Sequence, residues 1–230
     1  MGGFLFWGCY YSWMKKSEIL AKTVTFVQDR LKGEGTGHDW WHIERVLSNA
    51  RAIMRTEKAD RFVVDMALLL HDVGDRKVIH KPEDDYTIAE RWLGKCEVPH
   101  DVAGRVMFII RNMSFSASAG KRLEGAPKEF YIVQDADRLD ALGAIGIARA
   151  FAFGGSRSRP LYDPSKKKQT FKTSEEYRKL NSSTIHHFHE KILHLQDLMN
   201  TKAAKRIAAK RHAYTEKYLE QFLKEWKGER

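Results

Sequence analysis

Cysteine is scarce in this chain: Cys9 and Cys96 stand alone in unrelated contexts. They form no CxxC pair and no disulfide framework, which fits a reducing cytoplasm. Proline is also rare, with 5 in 230 residues beside 16 glycines. So few breakers favour long helices over many short strands. Neither an alternating strand pattern nor an internal repeat occurs, so the expected class is all-α. Hydrophobic residues at 43% supply a core and exclude wholesale disorder.

Negative charge is in deficit. Forty Lys and Arg face 30 Asp and Glu, giving a formal charge of +10, and much of the surplus follows Gly155. A basic surface draws nucleotides, nucleic acid and acidic lipid alike. No recognisable nucleic-acid module accompanies it, so nucleic acid is not the favoured partner. The N-terminal apolar run, from Phe4 to Trp13, is too short to span a bilayer. A secretory signal places its positive charge ahead of the apolar stretch, whereas Lys15 and Lys16 follow it. Residues 1–14 therefore read as an apolar tail ahead of a start at Met14. An anchor with those lysines on the cytoplasmic face is the alternative, and a membrane partner is not expected.

Helical periodicity marks the rest. Ile19, Leu20, Val24, Val27 and Leu31 predict a helix over 15–32, closed by Gly33 and Gly35. A second helix, 39–56, turns Trp41, Val46, Ala50 and Ile53 inward. A third, 61–71, begins at the capping residue Asp60 and is apolar all round in its last turn. Further helices are expected from Pro82 to 95, 100–112, 128–153, 174–199 and 202–226, with 156–173 a polar, basic surface loop. The division is an apolar tail (1–14), a helical core carrying the site (15–155), and a basic loop with closing helices packed on that core (156–230).

Chemistry concentrates where the third helix ends. Leu68-Leu69-Leu70 demands burial, yet His71-Asp72 follows at once. A lone buried carboxylate costs several kcal/mol unless a cation or hydrogen-bond donors compensate it, and a divalent ion would remove that penalty. His42 lies on the second helix, with Arg45 one turn further on. Asp135 and Asp137 lie in the segment Gln134 to Leu142. Singly, each has an ordinary structural explanation as a satisfied histidine, a helix-end cap or a salt bridge.

Taken together, the order H…HD…D on helices resembles the HD-domain metal-dependent phosphohydrolases, in particular their small stand-alone members. The matching segments are HDWWHIERV (38–46), ALLLHDVGD (67–75), IVQDADRLDALGAIGIARAF (132–151), TIHHFHEKILHL (184–195) and MNTKAAKRIAAKRHAY (199–214). The resemblance implies an HD-domain helical bundle with a C-terminal helical extension. It implies one divalent ion (Mn, Mg, Fe, Co, Ni or Zn) held by His42, His71, Asp72 and Asp137, with Asp137 preferred over Asp135. His80 and His100 do not complete a second metal set. Asp75 is the implied general acid/base beside Asp72. Arg45, Lys77, Lys121, Arg122 and His38 are candidates to grip phosphate, Arg45 alternatively bracing Asp72 or Asp137. His187 is expected to line the cleft or brace the core, and His186 and His189 to form a polar surface. The implied activity is cleavage of a phosphomonoester or phosphoanhydride in a small phosphorylated metabolite, foremost a nucleotide. Phosphodiesterase action on a cyclic or oligonucleotide, and a non-catalytic nucleotide-binding scaffold, stay open as alternatives.

Overall fold

The computed structural model describes residues 3–35, 37–74, 86–115, 122–167, 169, 173, 175–176 and 182–229, with side chains from Lys15 onward. Among these residues the chain is helical, without a strand. The helices are α1 (Gly3–Arg30), α2 (Trp40–Ile53), α3 (Arg61–Leu70), α4 (Thr87–Lys95), α5 (His100–Asn112), α6 (Lys128–Asp140), α7 (Gly143–Ser156), α8 (Thr184–Glu190) and α9 (Lys202–Trp226). A 3-10 turn, Ile192–Leu195, joins the last two.

Helix α3 lies at the centre. Every residue from Phe62 to Leu70 is buried, and the helix packs against α1, α2, α5 and α6. Asp60 caps it, accepting from the Phe62 and Val63 amides at 3.0 and 3.5 Å, an interaction worth about 1 kcal/mol. The all-apolar last turn thus anchors His71 and Asp72 at the buried end of α3. Helix α2 packs most extensively on α6, bringing His42 to face the carboxylates of that helix. Asp39 caps α2 through the amide of His42 itself, at 2.9 Å.

Four expectations need correction. Trp41 does not face inward: it is 62% exposed, while Trp40 packs against the core. With the cap at Asp39, the inward stripe runs through His42, Ile43, Val46 and Ala50. The single helix expected over 128–153 is broken at Ala141-Leu142. Gly143 takes φ +71°, and a Cβ on Gly146 would stand 2.2 Å from the Ala141 carbonyl. Helix α9 stabilises this break, because Arg211 donates to the Leu139 carbonyl (2.6 Å) and Thr215 accepts from the Gly143 amide (3.0 Å). The helix expected over 174–199 is, among the described residues, the short α8 and the 3-10 turn, divided where Lys191 leaves helical geometry at φ −135°. Finally, His186 is buried rather than on a polar surface, its Nδ1 2.7 Å from the hydroxyl of Ser183. Helix α1 begins at Gly3, so the apolar tail continues the first helix. No helix of the described residues is long and apolar enough to cross a membrane. Pro82 and His80 lie outside the described residues.

Candidate metal centre

Three helices deliver four side chains to one point. His42 Nε2 stands 3.3 Å from His71 Nε2, 3.5 Å from an Asp72 oxygen and 3.5 Å from an Asp137 oxygen. His71 Nε2 lies 3.4 Å from Asp72 and 4.0 Å from Asp137. The other ring nitrogens fix the tautomers. His42 Nδ1 donates to Asp140 Oδ2 (2.7 Å), and His71 Nδ1 donates to the Leu68 carbonyl (2.8 Å). In neutral imidazoles both Nε2 lone pairs then point into the cluster, toward carboxylate oxygens. Acceptors converging in this way repel one another unless a cation lies between them.

The spacing fits such an ion. Ligand bonds of about 2.1 Å in octahedral geometry put adjacent donors about 3.0 Å apart and opposite donors about 4.2 Å apart. The His–His and His–Asp separations of 3.3 to 4.0 Å fall in that range. His42, His71 and Asp72 already form a group able to hold a metal. Mixed imidazole and carboxylate donors suit a first-row transition ion or magnesium. The His42, His71 and Asp72 side chains are almost wholly buried, whereas that of Asp137 is 34% exposed. The cluster therefore opens to solvent on the Asp137 side.

Asp135 has different work. Buried on the far face of α6, it accepts from the amides of Asn200 and Thr201 at 2.8 Å each, and from the Asn200 side chain at 3.0 Å. It ties the start of α9 to the core. Burial raises its pKa, and those hydrogen bonds only partly oppose the shift.

Asp140, one turn beyond Asp137, was not singled out from the sequence. It receives the His42 ring, a two-pronged hydrogen bond from Arg45 (2.8 and 3.0 Å) and the Arg149 guanidinium at 3.2 Å. Burial pushes its carboxyl up, but the His42 and Arg45 bonds and the charge of Arg149 outweigh that and hold it well below the usual carboxylate range. Arg45 thus braces Asp140, and not Asp72 or Asp137, the alternative role expected for it. The available signal was spacing: Asp140 lies three residues after Asp137, and Arg45 three after His42, so both pairs share a helix face.

Among the other candidates, His38 places its ring 6.0 Å from that of His42 and 5.8 Å from Phe153, beside the cluster. Arg122 lies over the ring of Tyr131, nearly two turns before Asp137 on α6. Asp75, Lys77 and Lys121 lie outside the described residues. His187 on α8 is half-buried.

The family model described as "HD domain" matches residues 40–142, from the start of α2 to the α6–α7 break. YpgQ of Bacillus subtilis is 36% identical over 215 residues, covering 94% of this chain and 97% of that protein. This chain belongs to the HD-domain family. Solved structures extend the likeness beyond residues 40–142. A Lactobacillus plantarum protein superposes with a TM-score of 0.84 at 35% identity, covering 92% of this chain and 98% of that one. An HD-superfamily hydrolase from Bacillus thuringiensis is 42% identical with a TM-score of 0.68, at the same coverages. Crystalline YpgQ in complex with ADP is 34% identical with a TM-score of 0.70, covering 92% of this chain and 96% of YpgQ.

Proposed function

We propose that this HD-domain protein is a metal-dependent phosphohydrolase that cleaves a phosphomonoester or phosphoanhydride bond of a small phosphorylated metabolite, foremost a nucleotide. The observation that carries this reading is the pair of imidazole Nε2 atoms 3.3 Å apart, each within 4.0 Å of an Asp72 and an Asp137 oxygen. His42, His71, Asp72 and Asp137 would hold one divalent ion. Bound there, such an ion supplies Lewis acidity and offsets the negative charge of a phosphoryl group. The ADP complex of YpgQ supports a nucleotide as the ligand class.

The chain's own residues divide the remaining labour. Asp140 and the Leu68 carbonyl fix the two imidazole rings, so the donor atoms need little reorganisation when substrate arrives. Arg45 and Arg149 hold Asp140 and act through it as positioning residues. Asp137 borders the solvent-facing side, where a phosphate would enter, and His38, its ring 6.0 Å from that of His42, would donate a hydrogen bond to it. Asp75, three residues past Asp72, is our candidate for moving the proton to the leaving oxygen, with Lys77 and Lys121 gripping phosphate.

The test is a screen of nucleotides and sugar phosphates against Mn, Mg, Fe, Co, Ni and Zn, with wild type beside Asp72→Ala. Phosphate or pyrophosphate released by the wild type and lost in the variant is the expected result. Equal release from both proteins, or release from neither with any metal, overturns the reading.

A further inference from the structure

The first four turns of α9 carry charge that folding does not explain. Between Lys202 and Thr215 there are five Lys or Arg and no acidic residue. Lys202, Lys205, Arg206 and Lys210 are exposed, and among the described residues none of them forms an ion pair. Further along the same helix acids appear and are paired: Glu216 meets His212 at 3.3 Å, and Glu220 meets Lys224 at 2.8 Å. Cations near a helix N-terminus also oppose its macrodipole, so this half is charged against its own helical stability.

Position on the helix gives the strip a shape. At about 100° per residue, the four cations, Lys217 and Tyr214 fall within roughly one half of the helix circumference. Ala209 and Ala213, both exposed, run along the middle of that half. The opposite side is fixed to the body through Ala203, Ala204, Ala208 and Thr215. The result is a ridge with Lys202 at the head of the alanine row, Lys205 and the His212-paired Glu216 on one flank, Arg206, Lys217 and Lys210 on the other, and one aromatic ring, Tyr214, 54% exposed beyond Lys210. From Lys202 to Lys217 it runs about 22 Å.

We propose that this face of α9 binds the sugar–phosphate backbone of single-stranded nucleic acid, with Tyr214 stacking on a base. Charge complementarity selects a polyanion, and the low alanine row lets the backbone approach alongside Arg206 and Lys210. The exposed ring selects an unpaired strand, because stacking requires an accessible base face. An acidic lipid surface is the weaker fit. An interfacial helix needs an apolar side for the bilayer, and the apolar side of α9 is already buried against the protein. This surface is separate from the metal cluster and does not depend on the phosphohydrolase reading.

The test is fluorescence anisotropy of a labelled, mixed-sequence single-stranded DNA of about 20 nucleotides. Contact with about four phosphates predicts a log–log salt slope of about −3, or about fifty-fold weaker binding at 200 mM than at 50 mM salt. In Lys205→Gln/Arg206→Gln/Lys210→Gln the slope falls to about −1, with far-UV circular dichroism unchanged. Tyr214→Ala weakens single-strand binding about fivefold or more. Asp72→Ala keeps the wild-type affinity, separating this surface from the metal cluster. Affinity unchanged in the triple variant overturns the proposal. So does binding to vesicles containing phosphatidylserine with none to the oligonucleotide, or equal affinity for duplex that Tyr214→Ala leaves intact.

Discussion

Two charged regions of this protein obey opposite rules. Around Asp140 every charge is enclosed and answered: one carboxylate takes a hydrogen bond from His42, two from Arg45 and an ion pair from Arg149. Along the outer face of α9, four cations stand exposed, none of them in an ion pair among the described residues. The difference follows from solvent. A buried charge left unmatched costs several kcal/mol, so the fold forces each one to find a partner. An exposed charge costs almost nothing, and its sign is free to follow whatever the surface meets. Matching around Asp140 therefore reports on folding and site geometry, while its lack along α9 reports on something outside the fold.

The sharpest way to break the first region is to remove its centre. Asp140→Ala leaves Arg45, Arg149 and the His42 Nδ1 proton without their shared acceptor, and stability should fall by about 3–5 kcal/mol in urea unfolding. Asp140→Asn keeps an acceptor but loses the charge. It should weaken metal binding 10–100-fold by calorimetric titration, with less loss of stability. Metal affinity unchanged in the Asn variant would show that Asp140 braces the fold and not the ligand. The next effect tests the break between α6 and α7, which turns Arg149 back onto Asp140. Gly146→Ala sets a methyl group 2.2 Å from the backbone of Ala141 and should destabilise by about 1–3 kcal/mol.

Much of this was legible in the sequence, and what was hidden shared one cause. The apolar run ending in His71-Asp72 announced α3 and its buried end, because burial and metal-capable residues conflict unless chemistry reconciles them. The all-α class and the HD-domain family are likewise shown by the helices and by the match over 40–142. The break at 141–143 was not visible, since Ala-Leu-Gly-Ala continues a helical pattern. Only Arg211 and Thr215, some 70 residues later in sequence, supply the bonds that stabilise it. Trp41 looked like core because it is aromatic, and the register set by the Asp39 cap turned it outward. Arg45 and Asp140 each stand three residues after a predicted ligand, but that they meet across 95 residues follows only from the packing of α2 on α6.

Asp135 offers a smaller contrast on the same helix as Asp137. Its carboxylate caps the approach to α9, so Asp135→Asn should cost about 1–2 kcal/mol and leave metal affinity unchanged. The sign of its pH dependence separates it from Asp140. A raised carboxyl pKa means the folded state holds its proton more tightly. Its contribution is complete below the ordinary carboxylate pKa and is lost as pH rises through the elevated value. Asp140, with a lowered pKa, contributes above the ordinary value and loses that contribution as pH falls. Stability measured from pH 3 to 7 should therefore lose its falling component in Asp135→Asn and its rising component in Asp140→Asn.

The smallest effect belongs to the exposed strip, and its smallness is the content of the prediction. Lys205→Gln/Arg206→Gln/Lys210→Gln removes three exposed charges that make no ion pair among the described residues. Glutamine propagates a helix about as well as lysine or arginine. Relief of repulsion from the helix N-terminus acts in the stabilising direction. Unfolding free energy should therefore move by no more than about 0.5 kcal/mol, and upward if it moves at all. A loss of 2 kcal/mol or more would show that these cations hold α9 to the protein body (the order of a broken buried contact), and would erase the contrast with Asp140.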